Sequence, residues 1–210
     1  MTDSYKTLTK PSEPSLYKEK GSKFYGLAFP VTTEEEITKI IGEVKAIHHK
    51  ARHWCYAWQI GKKKEKFRAN DDGEPSNSAG MPIYGQIESK DLTNVLVVVV
   101  RYFGGVKLGV GGLVRAYKTA AQLTLETADI SAKTINDTFS LNFEYKDMNK
   151  VQRIIKKYSV NIIAQNLELS CEYLVSIRLS EVTQIINAFE ELRCVEILDQ
   201  ETIQKRDAKK

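Results

Sequence analysis

Long apolar runs are missing from this chain. The longest, residues 95–100, has the length of a strand, far below the roughly 18 apolar residues of a membrane-spanning helix. The opening residues 1–10 are polar and lack the apolar stretch of a secretory signal, so a cytosolic protein is the expectation. Cysteine is scarce: Cys55, Cys171 and Cys194 lie far apart, form no Cys-x-x-Cys pair and stand in no Cys/His spacing that would build a zinc site. Such a set suits a reducing compartment and thiols that serve packing. Neither sign of charge dominates. Thirty-one Lys and Arg against 27 Asp and Glu leave a net charge of +4. The pI of 8.8 falls short of the value above about 9 that marks a nucleic-acid binder by composition, so contact with RNA is permitted and not required. There is no internal repeat and no low-complexity tract. The 42% hydrophobic and 28% charged content of the 210 residues is that of a folded globular protein.

What is present reads as alternating strands and helices. Residues 1–15, with Pro11 and Pro14, are expected to form a loose lead-in or an edge segment. A strand over residues 23–31 closes at Pro30. Thr32 or Thr33 then caps a helix whose first turn carries Glu34, Glu35 and Glu36, where the helix dipole favours negative charge. Ile37, Ile40, Ile41, Val44 and Ile47 follow helical spacing to about His49, and His48 and His49 at its end complement the dipole. Residues 53–60 alternate as a strand, with Trp54, Tyr56, Trp58 and Ile60 on one face and His53, Cys55, Ala57 and Gln59 on the other. The aromatic face suits a core or a stacking platform for bases. A basic tip follows at Lys62, Lys63, Lys64, Lys66 and Arg68, and then a turn-rich acidic loop, residues 70–76. A short helix is expected over residues 79–87, a doubly buried strand over 94–101 and a helix over 113–128. From residue 138 the order is strand, helix, strand, strand, helix, strand (138–145, 148–157, 161–168, 172–179, 182–192, 194–201), a βαββαβ unit of the ferredoxin-like kind. Asp147 and Ser180 stand at N-cap positions, and the charged tail, residues 204–210, is expected to fray.

The most informative stretch is Arg101-Tyr-Phe-Gly-Gly-Val-Lys-Leu-Gly-Val-Gly-Gly-Leu-Val-Arg-Ala-Tyr-Lys118. It leaves the buried strand, passes Gly104, Gly105, Gly109, Gly111 and Gly112, and opens a helix. Glycines at this density let a backbone come close to a ligand. A helix N-terminus presents free N–H groups and positive dipole to an anion. Arg101, Lys107, Arg115 and Lys118 add cations, the last two on one helix face. A phosphate or a nucleic-acid backbone suits this set, and so does the plainer role of a tight turn with close helix–sheet packing. No Gly-Lys-Ser/Thr follows, so it is not a P-loop, and the spacing misses the dinucleotide fingerprint. Asp71, Asp72 and Glu74 could rim such a site or hold a divalent metal; equally, they suit a solvated turn.

Three segments together resemble the IMPACT/YigZ family: Arg101-Tyr-Phe-Gly-Gly-Val-Lys-Leu-Gly109, the pair Asp71-Asp72-Gly73-Glu74-Pro75-Ser76 and Ala79-Gly80-Met81-Pro82-Ile83, and the aromatic strand around residues 53–58. Asn77 and Tyr84 stand where the family pattern has glycine and an aliphatic residue. The resemblance covers roughly residues 18–129. It implies an α+β protein with a ribosomal protein S5 domain 2-like domain over residues 1–134 and a ferredoxin-like domain over 135–210 like the last domain of elongation factor G. It implies a role in translation, as eukaryotic relatives regulate translation by binding a partner that activates a stress kinase. The expected partners are RNA, the ribosome or a translation-related protein, met through the cationic glycine loop, with no membrane, no cofactor and no catalytic residue. An enzyme holding a phosphorylated or nucleotide substrate at the same loop, and a protein-interaction module, are the competing expectations.

Overall fold

Every side chain from Val95 to Val100 is fully buried, which places their strand in the middle of a layer covered on both faces. The computed structural model describes residues 3–199. It divides into two compact units, one of residues 4–133 and one of residues 134–199 with Asp3, and it mixes helices with antiparallel sheets.

In the first unit, β2 (Ser15–Glu19), β3 (Ser22–Pro30), β6 (Val95–Tyr102), β4 (His53–Ile60) and β5 (Lys66–Asn70) form a sheet in the order β2-β3-β6-β4-β5. Its pairings are antiparallel. Helix α1 (Glu34–Ile47) covers one face, packing Ile37 and Val44 against Trp58, Ile60, Leu96, Val98 and Val100. Helices α2 (Gly80–Ser89) and α3 (Gly109–Glu126) cover the other, where Ile83, Ile87, Leu113, Tyr117 and Ala120 meet Val95, Val97 and Val99. Alternation within β6 thus feeds two cores, because successive strand side chains point to opposite faces. Thr33 caps α1 in a reciprocal capping box with Glu36, as Thr followed by an acidic residue three positions on specifies.

A second, two-stranded sheet joins β1 (Ser4–Leu8) to β7 (Ile130–Thr134). Strand β1 makes an edge segment of the lead-in, one of the two forms expected for it, whereas β7, short and largely polar, is not expected from the sequence. The lead-in therefore holds β1 and ends where β2 begins, and the basic tip runs directly into strand β5. The aromatic face of β4 belongs to the core under α1, so Trp54, Tyr56 and Trp58 pack and do not form a platform for bases.

The second unit runs β8 (Asn136–Glu144), α4 (Met148–Tyr158), β9 (Asn161–Asn166), β10 (Ser170–Arg178), α5 (Val182–Glu190) and β11 (Val195–Asp199). Its sheet has the order β11-β8-β10-β9, antiparallel throughout. Val151, Ile155, Ile185 and Phe189 from the helices close a core with Leu141, Phe143, Tyr173 and Val175. Asp147 precedes α4 but makes no side-chain cap; its carboxylate receives Lys150 instead. Ser180 lies in a short 3-10 turn, and its hydroxyl donates to Asp3. The end of the expected last strand and the tail at residues 204–210 lie outside the described residues.

Candidate functional site

Helix α3 starts at Gly109, four residues before the point the sequence pattern marks, so Gly109, Gly111 and Gly112 lie inside its first turn. Its N-cap, Leu108, offers no side-chain acceptor, and the first turn contains no acidic residue. Gly109, Val110 and Gly111 are exposed. The end of the helix that carries unpaired N–H groups and the positive end of the dipole is thus open to solvent. Ahead of it, Gly105 turns the chain with φ +89° and Gly109 with φ +70°, a region that side chains rarely adopt.

Lys107, Arg115 and Lys118 are exposed around this turn. Arg115 and Lys118, together with Gly112 and Leu108, line a groove of about 300 Å³ whose other wall is Tyr17, Glu19 and Lys20. Tyr17 donates its hydroxyl to Glu19 at 2.9 Å; that bond, with burial, pushes the phenol above its ordinary pKa, while Arg115 draws it down. The groove therefore has one carboxylate, already hydrogen-bonded, against Arg115, Lys118 and Lys20. Gly104 has a different task. A Cβ there would lie 1.9 Å from the backbone carbon of Gly21, so this glycine permits the loop to press onto the β2–β3 turn.

Arg101 does not join the exposed cations. Its side chain is 6% exposed, and its Nη1 donates to Glu74 Oε1 at 2.6 Å, with Glu74 itself 5% exposed. Tyr117 donates to the same oxygen at 2.8 Å, and the guanidinium lies between the rings of Phe24 and Phe103, 5.6 and 5.5 Å away. This cluster ties the acidic loop to β6 and α3 beneath the glycine turn. Burial, first of all, raises the Tyr117 hydroxyl and the neighbouring Cys55 thiol well above their ordinary values. Cys55 Sγ donates to the carbonyl of Asp71 at 3.0 Å, and a thiol held neutral in this way is not a nucleophile.

The two aspartates are likewise engaged. Asp71 accepts the amides of Asn77, Ala79 and Gly80 at 2.8, 2.9 and 2.8 Å, supplying from a distance the cap that the N-cap residue Ala79 lacks. Asp72 accepts the Trp54 amide at 2.8 Å and lies 3.5 Å from Lys45, and its own carbonyl meets His53 Nδ1 at 2.9 Å. Among the described residues no group of His, Cys, Asp and Glu is arranged to hold a metal ion. The acidic loop serves as an internal brace. Its only sequence signal for that role is the Asp-Asp-Gly turn followed, after Pro75, by a helix start.

The Impact N-terminal domain family matches residues 20–125, a span that takes in the glycine turn, the acidic loop and the buried cluster. Over 171 residues the chain is 32% identical to an IMPACT family member of Haemophilus influenzae, covering 80% of this chain and 83% of that protein. Over 157 residues it is 34% identical to the IMPACT family member YvyE of Bacillus subtilis, covering 75% and 72%. A solved structure described as that of a hypothetical protein is 25% identical and superposes with a TM-score of 0.69 over 94% of this chain and 98% of that one. The chain belongs to the IMPACT family.

Proposed function

We propose that this protein regulates translation by binding RNA, on the ribosome or off it, through the first turn of α3. One observation carries the reading: the α3 N-terminus is uncapped and exposed while Lys107, Arg115 and Lys118 surround it. Anions favour such a place because free N–H groups, the helix dipole and the cationic side chains act together. Family membership supplies the link to translation. The assignment of residues 1–134 to the S5 domain 2-like fold and of residues 135–210 to the ferredoxin-like fold belongs to the same reading. The βαββαβ order and the strand order β11-β8-β10-β9 support the ferredoxin-like part of it.

Binding of RNA through phosphates weakens linearly in log affinity against log salt, with a slope of about 0.7 per neutralised phosphate on a single strand. Replacing Arg115 and Lys118 together by alanine is expected to lower that slope by about 1.4, measured by fluorescence anisotropy across a salt series. A slope and an affinity unmoved by the double substitution would exclude this surface. An enzyme acting on a phosphorylated substrate would need the same amides and a metal. Asp71, Asp72 and Glu74 are occupied by amides, Lys45, Arg101 and Tyr117, so the geometry favours binding over catalysis.

A further inference from the structure

The basic tip plays no part in the RNA reading. Residues 62–68 carry five Lys and Arg against the single carboxylate of Glu65, a local +4 that equals the net charge of the whole chain. Glu65 turns that carboxylate into the loop, where it accepts the Lys63 amide at 3.0 Å. The tip leads into β5, the last strand of its sheet, which among the described residues pairs with β4 alone. The outer edge of such a strand presents a row of main-chain N–H and C=O groups without strand partners. Register sets the faces of β5. Lys66 and Arg68 stand opposite Ile60 and Trp58, on the α1 side, whereas Phe67 and Ala69 stand opposite Gln59 and Ala57, on the α2 side. Lys66, Phe67 and Arg68 are all exposed. The Phe67 ring stacks on Tyr84 of α2 with centroids 4.4 Å apart, yet Phe67 is 54% exposed. Met81, three residues before Tyr84 on the same helix, is 41% exposed.

We propose that the outer edge of β5 receives an extended segment of another polypeptide in which acidic and apolar residues alternate. An added strand bonds through its main chain and sets its side chains beside those of the edge strand on both faces. Its acidic residues then lie beside Lys66 and Arg68, and its apolar residues beside Phe67 and Ala69. The cations are already paired within the chain only by exposed contacts, Lys66 with Glu34 at 3.1 Å and Lys64 with Asp91. Pairs of that kind are weak and give way to a new partner. A second copy of this chain fits badly, because its own Lys66 and Arg68 would approach these two, and like charges across a strand pair repel. Nucleic acid answers the charge but has no alternating donors and acceptors to match a strand edge. None of these residues belongs to the α3 surface, so the two sites stand or fall separately.

The test uses the full chain and a fluorescein-labelled octapeptide of alternating Glu and Val, read by anisotropy at low salt, where charge contacts are least screened. Beside it stand a block peptide of the same composition and two isomers N-methylated on alternate residues, one isomer for each edge of the peptide strand. The alternating peptide is expected to bind about tenfold tighter than the block peptide. One N-methylated isomer, and only one, is expected to bind about tenfold more weakly than the parent, since a single edge of the peptide meets β5. These comparisons need no variant. Replacing Lys66 and Arg68 together by glutamate is expected to reverse the preference, losing the Glu peptide and gaining its Lys counterpart. Identical affinity of the two isomers, or of the block and alternating peptides, would reduce the contact to charge alone and overturn the inference. Oligouridine binding that falls in the double variant while peptide binding holds would also overturn it, giving the tip to nucleic acid.

Discussion

Arg101 and Glu74 hold opposite charges in a place almost closed to water, and Tyr117 adds its hydroxyl to the same carboxylate oxygen. Such a pair adds little net stability, since its mutual attraction is set against the loss of hydration, but removing one member strands the other. Glu74→Ala is therefore expected to cost about 3–5 kcal/mol, read as a lowered urea midpoint. Tyr117→Phe, which removes a hydrogen bond to a charged acceptor, should cost about 1.5–3 kcal/mol. Replacing both Arg101 and Glu74 by apolar residues of similar size should recover most of the Glu74→Ala loss. If the single substitution were as mild as the double, the pair would not be buried in solution as it is here. Cysteine reactivity provides an independent check of the same interior. Cys55 and Cys171 are buried and Cys194 is partly exposed, so a thiol reagent is expected to modify Cys194 alone until the protein is unfolded.

The first turn of α3 separates glycines that the fold requires from those it does not. Gly104 presses against Gly21, where a Cβ would strike backbone, while a Cβ at Gly111 would meet nothing within 4 Å. Gly104→Ala should destabilise by forcing that seam apart. Gly111→Ala, in a helix, should stabilise by about 0.5–1 kcal/mol through a lower entropy cost of ordering the chain. If a ligand approaches the helix end closely, the same Gly111→Ala change weakens RNA binding while raising the melting temperature, a combination that no purely structural role produces. The start of α3 is also where sequence reading falls short. Glycine disfavours helices, so the periodic pattern begins only at Leu113, yet the turn closes over exposed backbone from Gly109. Strand β4 and the core of α1 stand where their alternation and spacing place them, since both elements bury a regular apolar set. Strand β5 and the β1–β7 pair carry charged and polar residues on edges, which hides their periodicity. Arg101 reads as a surface cation because nothing near it in the chain announces Glu74, 27 positions away. The cue that was present is that it ends a strand buried on both faces. A groove lined by Lys23 and Tyr25 of β3, Tyr102 of β6 and His48 at the end of α1 gathers residues that no linear motif contains.

The two units keep separate cores, and their acid sensitivities should separate as well. All three histidines lie in the unit of residues 4–133. Burial holds His48 below its ordinary value of 6.5, so the unfolded chain binds its proton more readily than the folded one. The stability this contributes is complete above 6.5 and is lost as pH falls below it. In the other unit, Arg178 and Ser180 hydrogen-bond the carboxylate of Asp3 and hold it below 3.8, as Lys150 does for Asp147. Here too the folded state binds fewer protons than the unfolded one, but the loss begins only near 3.8 and deepens as pH falls through the lowered values. Peptide-resolved amide hydrogen exchange should therefore show residues 4–133 losing protection first, as pH falls below 6.5, with His48→Gln abolishing that phase. Asp3→Asn should flatten the later acid limb of residues 134–199 and leave the histidine phase untouched. If His48→Gln instead shifted both units together, a single cooperative transition would link them, and the acid responses could not be assigned core by core.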